Sequence, residues 1–74
     1  MKAYEVTYQL GNRREIVLVK EESQVEQALS DKVDDYTIGS KFSKIDTQRE
    51  IPLSQVKIKD LSVTEFIKIK NMKL

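Results

Sequence analysis

Residues 1–20 contain two strand-like segments joined by a short turn, and this pair constrains the fold more than any other feature of the chain. Over residues 3–10, apolar and polar side chains alternate with the two-residue period of a half-buried strand. Gly11-Asn12 follows and suits a tight turn, because glycine adopts positive φ angles without steric cost. Residues 14–20 are rich in β-branched side chains. The sequence therefore predicts an antiparallel hairpin, whose first strand has the apolar residues Tyr4, Val6, Tyr8 and Leu10.

The register of this hairpin decides which side chains of the second strand lie beside the apolar residues of the first. A two-residue turn would pair Val6 with Val17 and would place Ile16 and Leu18 on the opposite, more polar face. One more turn residue would exchange the two sets, because each register step moves every side chain to the other face. In either register one aliphatic pair needs a cover, either the C-terminal segment or a partner. The candidate interaction face consists of Ile16, Leu18, Val17 and Val19.

A helix is expected after the hairpin. Residues 23–26 read Ser-Gln-Val-Glu, which has the form of a capping box. Apolar side chains then recur at helical spacing, and together these signals predict a helix from about Gln24 to Val33. Such a helix is too short to be stable alone in water, so it must pack against the sheet. The apolar stripe available for this packing is Val25, Ala28, Leu29 and Val33.

Two further strands are expected in the second half. The two-residue spacing of apolar side chains between Tyr36 and Phe42 predicts one of them. Residues 46–50 are polar and typical of a turn. Pro52 restricts the segment after that turn to an edge or to a strand start, because it has no N–H to donate. Val56 and Ile58 predict a short amphipathic strand.

The C-terminal segment is compatible with two structures. Residues 62–65 form a second capping-box pattern, with Leu61 and Phe66 at the two positions of a hydrophobic staple. The alternation of isoleucine and lysine over residues 67–70 is typical of a strand instead. Because two independent helix-start signals coincide, the sequence favours a short helix from about Val63.

These elements predict a single α+β domain over residues 1–74. We expect a small antiparallel sheet of three to four strands with one packed helix, in the order β-β-α-β-β, and a short C-terminal helix. A chain of this size has a small core, and without cysteine it has no disulfide to supplement that core.

The residue types present argue against catalysis. The chain has no histidine, cysteine or tryptophan, and it has two isolated glycines. It therefore lacks the usual neutral-pH acid–base group, the preferred ligands of zinc, and a glycine-rich phosphate loop. Its adjacent carboxylates, Glu21-Glu22 and Asp34-Asp35, have diverging side chains on regular structure and flank the expected helix. We therefore expect a non-enzymatic protein and assign no catalytic residue, cofactor or metal ligand.

The net charge of +1 conceals an uneven distribution. Residues 1–37 have five basic and eight acidic groups, and residues 38–74 have eight basic and four acidic groups. Such an imbalance hints at an anionic partner. The favoured interpretation is structural, since lysines on solvated strands protect sheet edges from aggregation. The candidate contacts for an anionic partner are Arg13, Arg14, Lys41, Lys44, Lys57 and Lys59.

Two binding functions follow from these patterns. The first is a protein-interaction module, with a homodimer as one form of it. It is favoured by the uncovered aliphatic pair and the lack of catalytic groups. The alternative is nucleic-acid binding through the basic C-terminal half. This alternative is weaker because the alternation and the staple assign every aromatic side chain to the core.

The organisation of the first 35 residues resembles that of small accessory proteins of phages and prophages of AT-rich bacteria. The resemblance rests on the start of residues 1–8, Met-Lys-Ala-Tyr-Glu-Val-Thr-Tyr, on the Gly11-Asn12 turn and on the capped helix at Ser23. It implies a protein that binds a host or phage macromolecule, for instance as an inhibitor. A cytoplasmic location is expected, because the chain begins without a signal-like apolar stretch and contains no membrane-length one.

Overall fold

The computed structural model describes residues 1–41 and 43–71, and its elements follow the order strand, strand, helix, strand, helix. The strands form one antiparallel sheet in the spatial order β2-β1-β3. The α+β class and the antiparallel sheet predicted from the sequence are confirmed, and the described residues have one strand between the two helices where the sequence predicted two. The elements are β1 Lys2–Tyr8, β2 Arg13–Val19, α1 Val25–Lys32, β3 Ile45–Ile51 and α2 Val63–Asn71.

The two faces of the sheet have separate apolar clusters. On one face, α1 inserts Val25 and Leu29 between the strands and Tyr36. On the other face, Leu18 is covered by the C-terminal part of the chain, including Ile69 of α2. The sheet therefore lies between the two helices, and each helix covers one face. The buried residues of the first cluster are Tyr4, Val6, Tyr8, Val17, Val19, Val25, Leu29 and Tyr36, and those of the second are Ala3, Leu18 and Ile51.

The hairpin is confirmed, but its turn is longer than Gly11-Asn12. Tyr8 pairs with Arg13, so residues 9–12 form the turn. Gln9, Leu10 and Gly11 all have positive φ angles, of 53°, 57° and 82°. Leu10, which the alternation assigned to the strand and its apolar face, is 92% exposed at the tip. The turn backbone is held from outside the hairpin as well, because the Gly11 N–H donates to the Asp46 carboxylate.

Strand β3 corrects the expectation of a polar turn over residues 46–50. Most of its side chains are exposed, so its sequence lacks the alternation of apolar and polar residues that identifies a half-buried strand. Cross-strand pairs stabilise it instead. The Thr47 and Thr7 hydroxyl oxygens are 2.6 Å apart, and the Arg49 guanidinium lies 3.0 Å from the Glu5 carboxylate.

The two strands expected around Tyr36–Phe42 and Val56–Ile58 are not strands in the described residues. Tyr36 is buried against α1, and the backbone after it bends through Gly39 at φ 83°. Phe42 lies outside the described residues. After Pro52 the chain makes two short 3-10 turns, Leu53–Gln55 and Ile58–Asp60. Tyr36 and Val56 pack against the core, whereas Ile38 and Ile58 are exposed, so apolar spacing of two did not mark a strand in either segment.

Both helices are found close to their predicted positions. The buried residues of α1, Val25 and Leu29, belong to the predicted stripe. Its capping box is not the expected Ser23 and Glu26, because the Gln24 amide oxygen accepts the Glu21 N–H at the preceding 3-10 turn, Glu22–Gln24. For the C-terminal segment the helix is confirmed, since α2 starts at Val63 as the capping box predicts.

Candidate protein-binding surface

The orientation of α2 is set by Glu65 in its first turn. The Ser62 N–H donates to one Glu65 carboxylate oxygen at 3.0 Å, and the Glu65 N–H donates to the Ser62 hydroxyl at 3.2 Å, which completes the capping box. The second carboxylate oxygen accepts the Leu18 N–H of β2 at 2.9 Å. The Lys32 ammonium of α1 lies 2.8 Å from the same carboxylate. Glu65 is therefore a buried charged residue that fixes which side of α2 faces the sheet.

The opposite side of α2 is apolar and exposed. Val63 is 77% exposed, Phe66 44% and Ile67 50%. Residues three and four positions apart lie on one side of a helix, so these side chains form one stripe. We call Val63, Phe66, Ile67 and Lys70 the outer face of α2. The staple position had assigned Phe66 to the core, and its exposure corrects that assignment.

The exposed charges of α2 are all positive. Lys68 and Lys70 are exposed, and neither has an ion pair within the part of the chain that the structure describes. Glu65 is the one acidic residue of α2, and it is buried and paired with Lys32. The outer face therefore combines three apolar side chains with the ammonium group of Lys70.

The candidate interaction face on β2 lies inside the molecule. Val17, Leu18 and Val19 are buried, and Ile16 is half-buried. Val17 pairs with Tyr4 and shares its face, whereas Ile16 and Leu18 lie on the face that α2 covers. The sequence left two possible covers for this aliphatic pair, a partner and the C-terminal segment, and in the structure the C-terminal segment covers it.

The candidate contacts for an anionic partner fall into separate groups. Arg14, Lys57 and Lys59 line one shallow depression, and the other three candidates do not. Glu5, Glu15 and Asp60 line the same depression, so its charges nearly balance.

The remaining candidates lie elsewhere. Arg13 lies 3.4 Å from the Asp35 carboxylate at the hairpin end of the sheet. Lys41 and Lys44 are exposed on the connection between α1 and β3. The structure therefore brings together half of the six cations and surrounds those with acids.

Two buried phenols are the groups with clearly altered acidity. Burial and a hydrogen bond to Asp35 raise the pKa of Tyr8 to about 12, and burial and a hydrogen bond to Glu26 raise the pKa of Tyr36 to about 12. Their rings meet edge to face with centroids 5.6 Å apart. Both phenols therefore stay protonated at neutral pH and act as hydrogen-bond donors within the core.

The described residues contain no group of three acidic side chains placed to share a metal ion. Within residues 1–41 and 43–71 no helix has the length and apolar character needed to cross a membrane. Comparisons with protein-family models, with curated proteins and with solved structures found no match.

Proposed function

We propose that this protein is a non-catalytic binding module, and that it uses the outer face of α2 to contact a different protein. The proposal rests chiefly on the exposure of Val63, Phe66 and Ile67 along one side of a helix that Glu65 holds in place. An amphipathic helix that offers apolar side chains at this spacing fits a hydrophobic groove. The partner surface would be an apolar groove bordered by carboxylates, which complement Lys68 and Lys70.

Charge favours a different protein over a second copy. In an antiparallel pair of α2 helices, Lys70 of each copy would lie near Val63 of the other. That end of a helix has a positive partial charge from its free N–H groups. A parallel pair would place equivalent lysines side by side, and α2 has no exposed acid to pair with them. Self-association through this face therefore has no electrostatic support.

Charge also favours a protein groove over a lipid surface. On a helical projection Lys70 lies between Phe66 and Val63, so an ammonium group interrupts the apolar stripe. In a protein groove, a carboxylate can meet this ammonium group directly. At a membrane, the three apolar side chains around it would supply little buried area.

Nucleic-acid binding has one supporting feature, the convergence of Arg14, Lys57 and Lys59. The acids in the same depression oppose phosphate binding. The described tyrosines are all buried, which leaves them unable to stack on bases, and the exposed Phe66 does not line this depression. Protein binding is therefore the better-supported function. The resemblance to phage accessory proteins, with the inhibitor role and cytoplasmic location it implies, is compatible with this proposal and stays a prediction.

The test is a selection of binders from a display library of small folded domains with randomised surfaces. We expect most selected domains to present apolar residues flanked by Asp and Glu. Ile67→Asp should weaken their binding by about tenfold or more, since central apolar contacts dominate interfaces. The matched control is Leu53→Asp, which places the same charge at another exposed aliphatic side chain, outside α2. Binding that survives Ile67→Asp would contradict the proposal.

Two further probes separate the alternatives. Vesicles containing phosphatidylserine test for a lipid surface, and we expect no co-sedimentation. Fluorescence anisotropy of labelled single-stranded DNA and RNA at low salt tests for nucleic acid. Binding that is abolished by Lys57→Glu with Lys59→Glu would make nucleic acid the leading function instead.

A further inference from the structure

The outer edge of β2 is closed by side chains rather than by another strand. The Ile16 C=O accepts a hydrogen bond from the Lys32 ammonium, and the Leu18 N–H donates to the Glu65 carboxylate at 2.9 Å. Further along the same edge, the Lys20 N–H donates to the Gln24 amide oxygen at 3.1 Å. Since β2 pairs with β1 on its other side, these are the groups that a neighbouring strand would bind.

This edge belongs to the most apolar strand of the sheet. Residues 16–19 read Ile-Val-Leu-Val, and both faces of this segment are apolar. An accessible edge strand of this composition is a template for pairing with another chain. Lys32 and Glu65 thus close the edge at the place where strand addition would be most favourable.

The two closed groups have a specific geometric relation. If a second β2 added antiparallel with Val17 opposite Val17 of the other copy, the Leu18 N–H of each strand would donate to the Ile16 C=O of the other. The same register would place Ile16 beside Leu18 across the junction. Glu65 and Lys32 therefore occupy one donor, the Leu18 N–H, and one acceptor, the Ile16 C=O, of those that a two-fold symmetric β2–β2 junction would use.

We infer that the β2 edge is a latent homodimer site, and that the Lys32–Glu65 pair keeps it closed. The Lys32 ammonium donates to the Ile16 C=O, as the N–H of a neighbouring strand would. The Glu65 carboxylate accepts from the Leu18 N–H, as the C=O of that strand would. The Lys32 ammonium also donates to the Asp60 C=O, so the same pair fastens the segment before α2. The β2 edge becomes accessible only when α2 moves. Two accessible β2 edges can then pair, which joins the sheets of both copies into one continuous sheet.

The test replaces the pair by apolar side chains of similar length. Lys32→Met with Glu65→Met frees both edge groups, and such replacements of buried ion pairs often preserve folding. Light scattering should show a concentration-dependent dimer, with an association constant raised by about tenfold or more over the unmodified protein. Lys32→Met alone frees the Ile16 C=O and should raise association in the same direction. A folded, strictly monomeric double variant would overturn the inference.

A single engineered cysteine identifies the junction, because the natural chain has none. In the predicted register, the two Val17 positions form a non-hydrogen-bonded pair with Cα atoms about 4.5 Å apart, within reach of a disulfide. Val17→Cys in the double variant should form a covalent dimer on oxidation, whereas Thr47→Cys on β3 should not. Cross-linking through Thr47→Cys alone would place the junction on the other edge and overturn the inference.

The charge swap Lys32→Glu with Glu65→Lys is the decisive control. The swap is made together with Glu15→Gln, because the Glu15 carboxylate lies 3.5 Å from the Lys32 ammonium and would repel a carboxylate at that position. It then restores an ion pair but leaves an ammonium facing the Leu18 N–H and a carboxylate facing the Ile16 C=O. If the pair acts by closing the edge, the swapped protein should still associate. If it acts only as an ion pair, the swapped protein should return to a monomer, and that result would overturn the inference.

Discussion

The Leu18 N–H of β2 donates a 2.9 Å hydrogen bond to the carboxylate of Glu65 on α2, 47 positions later in the chain. The same carboxylate lies 2.8 Å from the Lys32 ammonium at the end of α1. Glu65 therefore links both helices to one strand. Because it is buried, it also determines that Val63 and Ile67 face outward.

Removing this carboxylate should destabilise the fold markedly. Glu65→Ala leaves the largely buried Lys32 ammonium with the Glu15 carboxylate, 3.5 Å away, in place of the closer Glu65 carboxylate. It also removes the acceptors of the Ser62 and Leu18 N–H groups. We expect the free energy of unfolding to fall by about 3 kcal/mol. Urea denaturation measures this, with the exposed Glu50→Ala as the control. A loss no larger than the control's would show that Glu65 does not anchor α2.

The packing of α1 should depend on Leu29. This side chain is fully buried against the sheet and Tyr36, so Leu29→Ala leaves a cavity. We expect a loss of about 3 kcal/mol in the free energy of unfolding, from reduced burial and the cavity together. Gln27→Ala on the exposed side of the same helix should be nearly neutral. Equal effects of the two substitutions in thermal unfolding would contradict the placement of α1.

Strand β3 can be tested with a pair of proline substitutions. The Ile16 C=O and the Leu18 N–H point away from β1, because they bind the side chains of Lys32 and Glu65. Backbone groups alternate in direction along each strand, so the register of the sheet directs the Arg49 N–H of β3 toward β1 and the Gln48 N–H toward solvent. Arg49→Pro should therefore cost about 2 kcal/mol more than Gln48→Pro, because it removes a ladder hydrogen bond. Chemical denaturation of the two variants gives the difference. If both were tolerated equally, residues 46–50 would be the turn that their polarity suggested.

Alkaline pH should weaken the fold through the buried phenols. Tyr8 and Tyr36 have folded pKa values of about 12, above the ordinary value of 10. Between pH 10 and 12 the unfolded chain therefore binds fewer protons than the folded chain, and stability falls as the pH rises. The loss should reach at most about 2 kcal/mol for each tyrosine.

Urea midpoints below and above pH 10 measure this loss. Tyr8→Phe has no ionisable phenol at that position, so its stability should fall less steeply with pH than that of the unmodified protein. All other ionisable groups are common to the two proteins, so their contributions cancel in the comparison. An identical pH dependence for the two proteins would contradict the assignment.

The sequence predicted the elements whose signals are local. The hairpin, α1 and α2 were recognisable because alternation, helical spacing and the Ser62–Glu65 capping box lie within a few residues of each other. Strand β3 was not, since its side chains are exposed and its support comes from Glu5 and Thr7 on a distant segment. Tertiary partners, rather than its own polarity, make that segment a strand.

The candidate surface shows the same division. The aliphatic pair of Ile16 and Leu18 indicated correctly that something must cover that face, and the C-terminal segment, one of the two expected covers, does so in part through Ile69 of α2. The outer face of α2 was missed because the staple pattern placed Phe66 inward. The spacing of Val63 and Ile67, on the side of the helix opposite Glu65, was the signal that could have identified it.

The most direct test of the account is to map where a bound partner touches the protein. We would record ¹⁵N–¹H correlation spectra of the isotope-labelled protein while titrating an acidic-bordered domain selected for binding. The account predicts that the largest shift changes occur at Val63, Phe66, Ile67 and Lys70, with little change at Arg14, Lys57 or Lys59. Changes centred on that basic depression, with α2 unaffected, would contradict it.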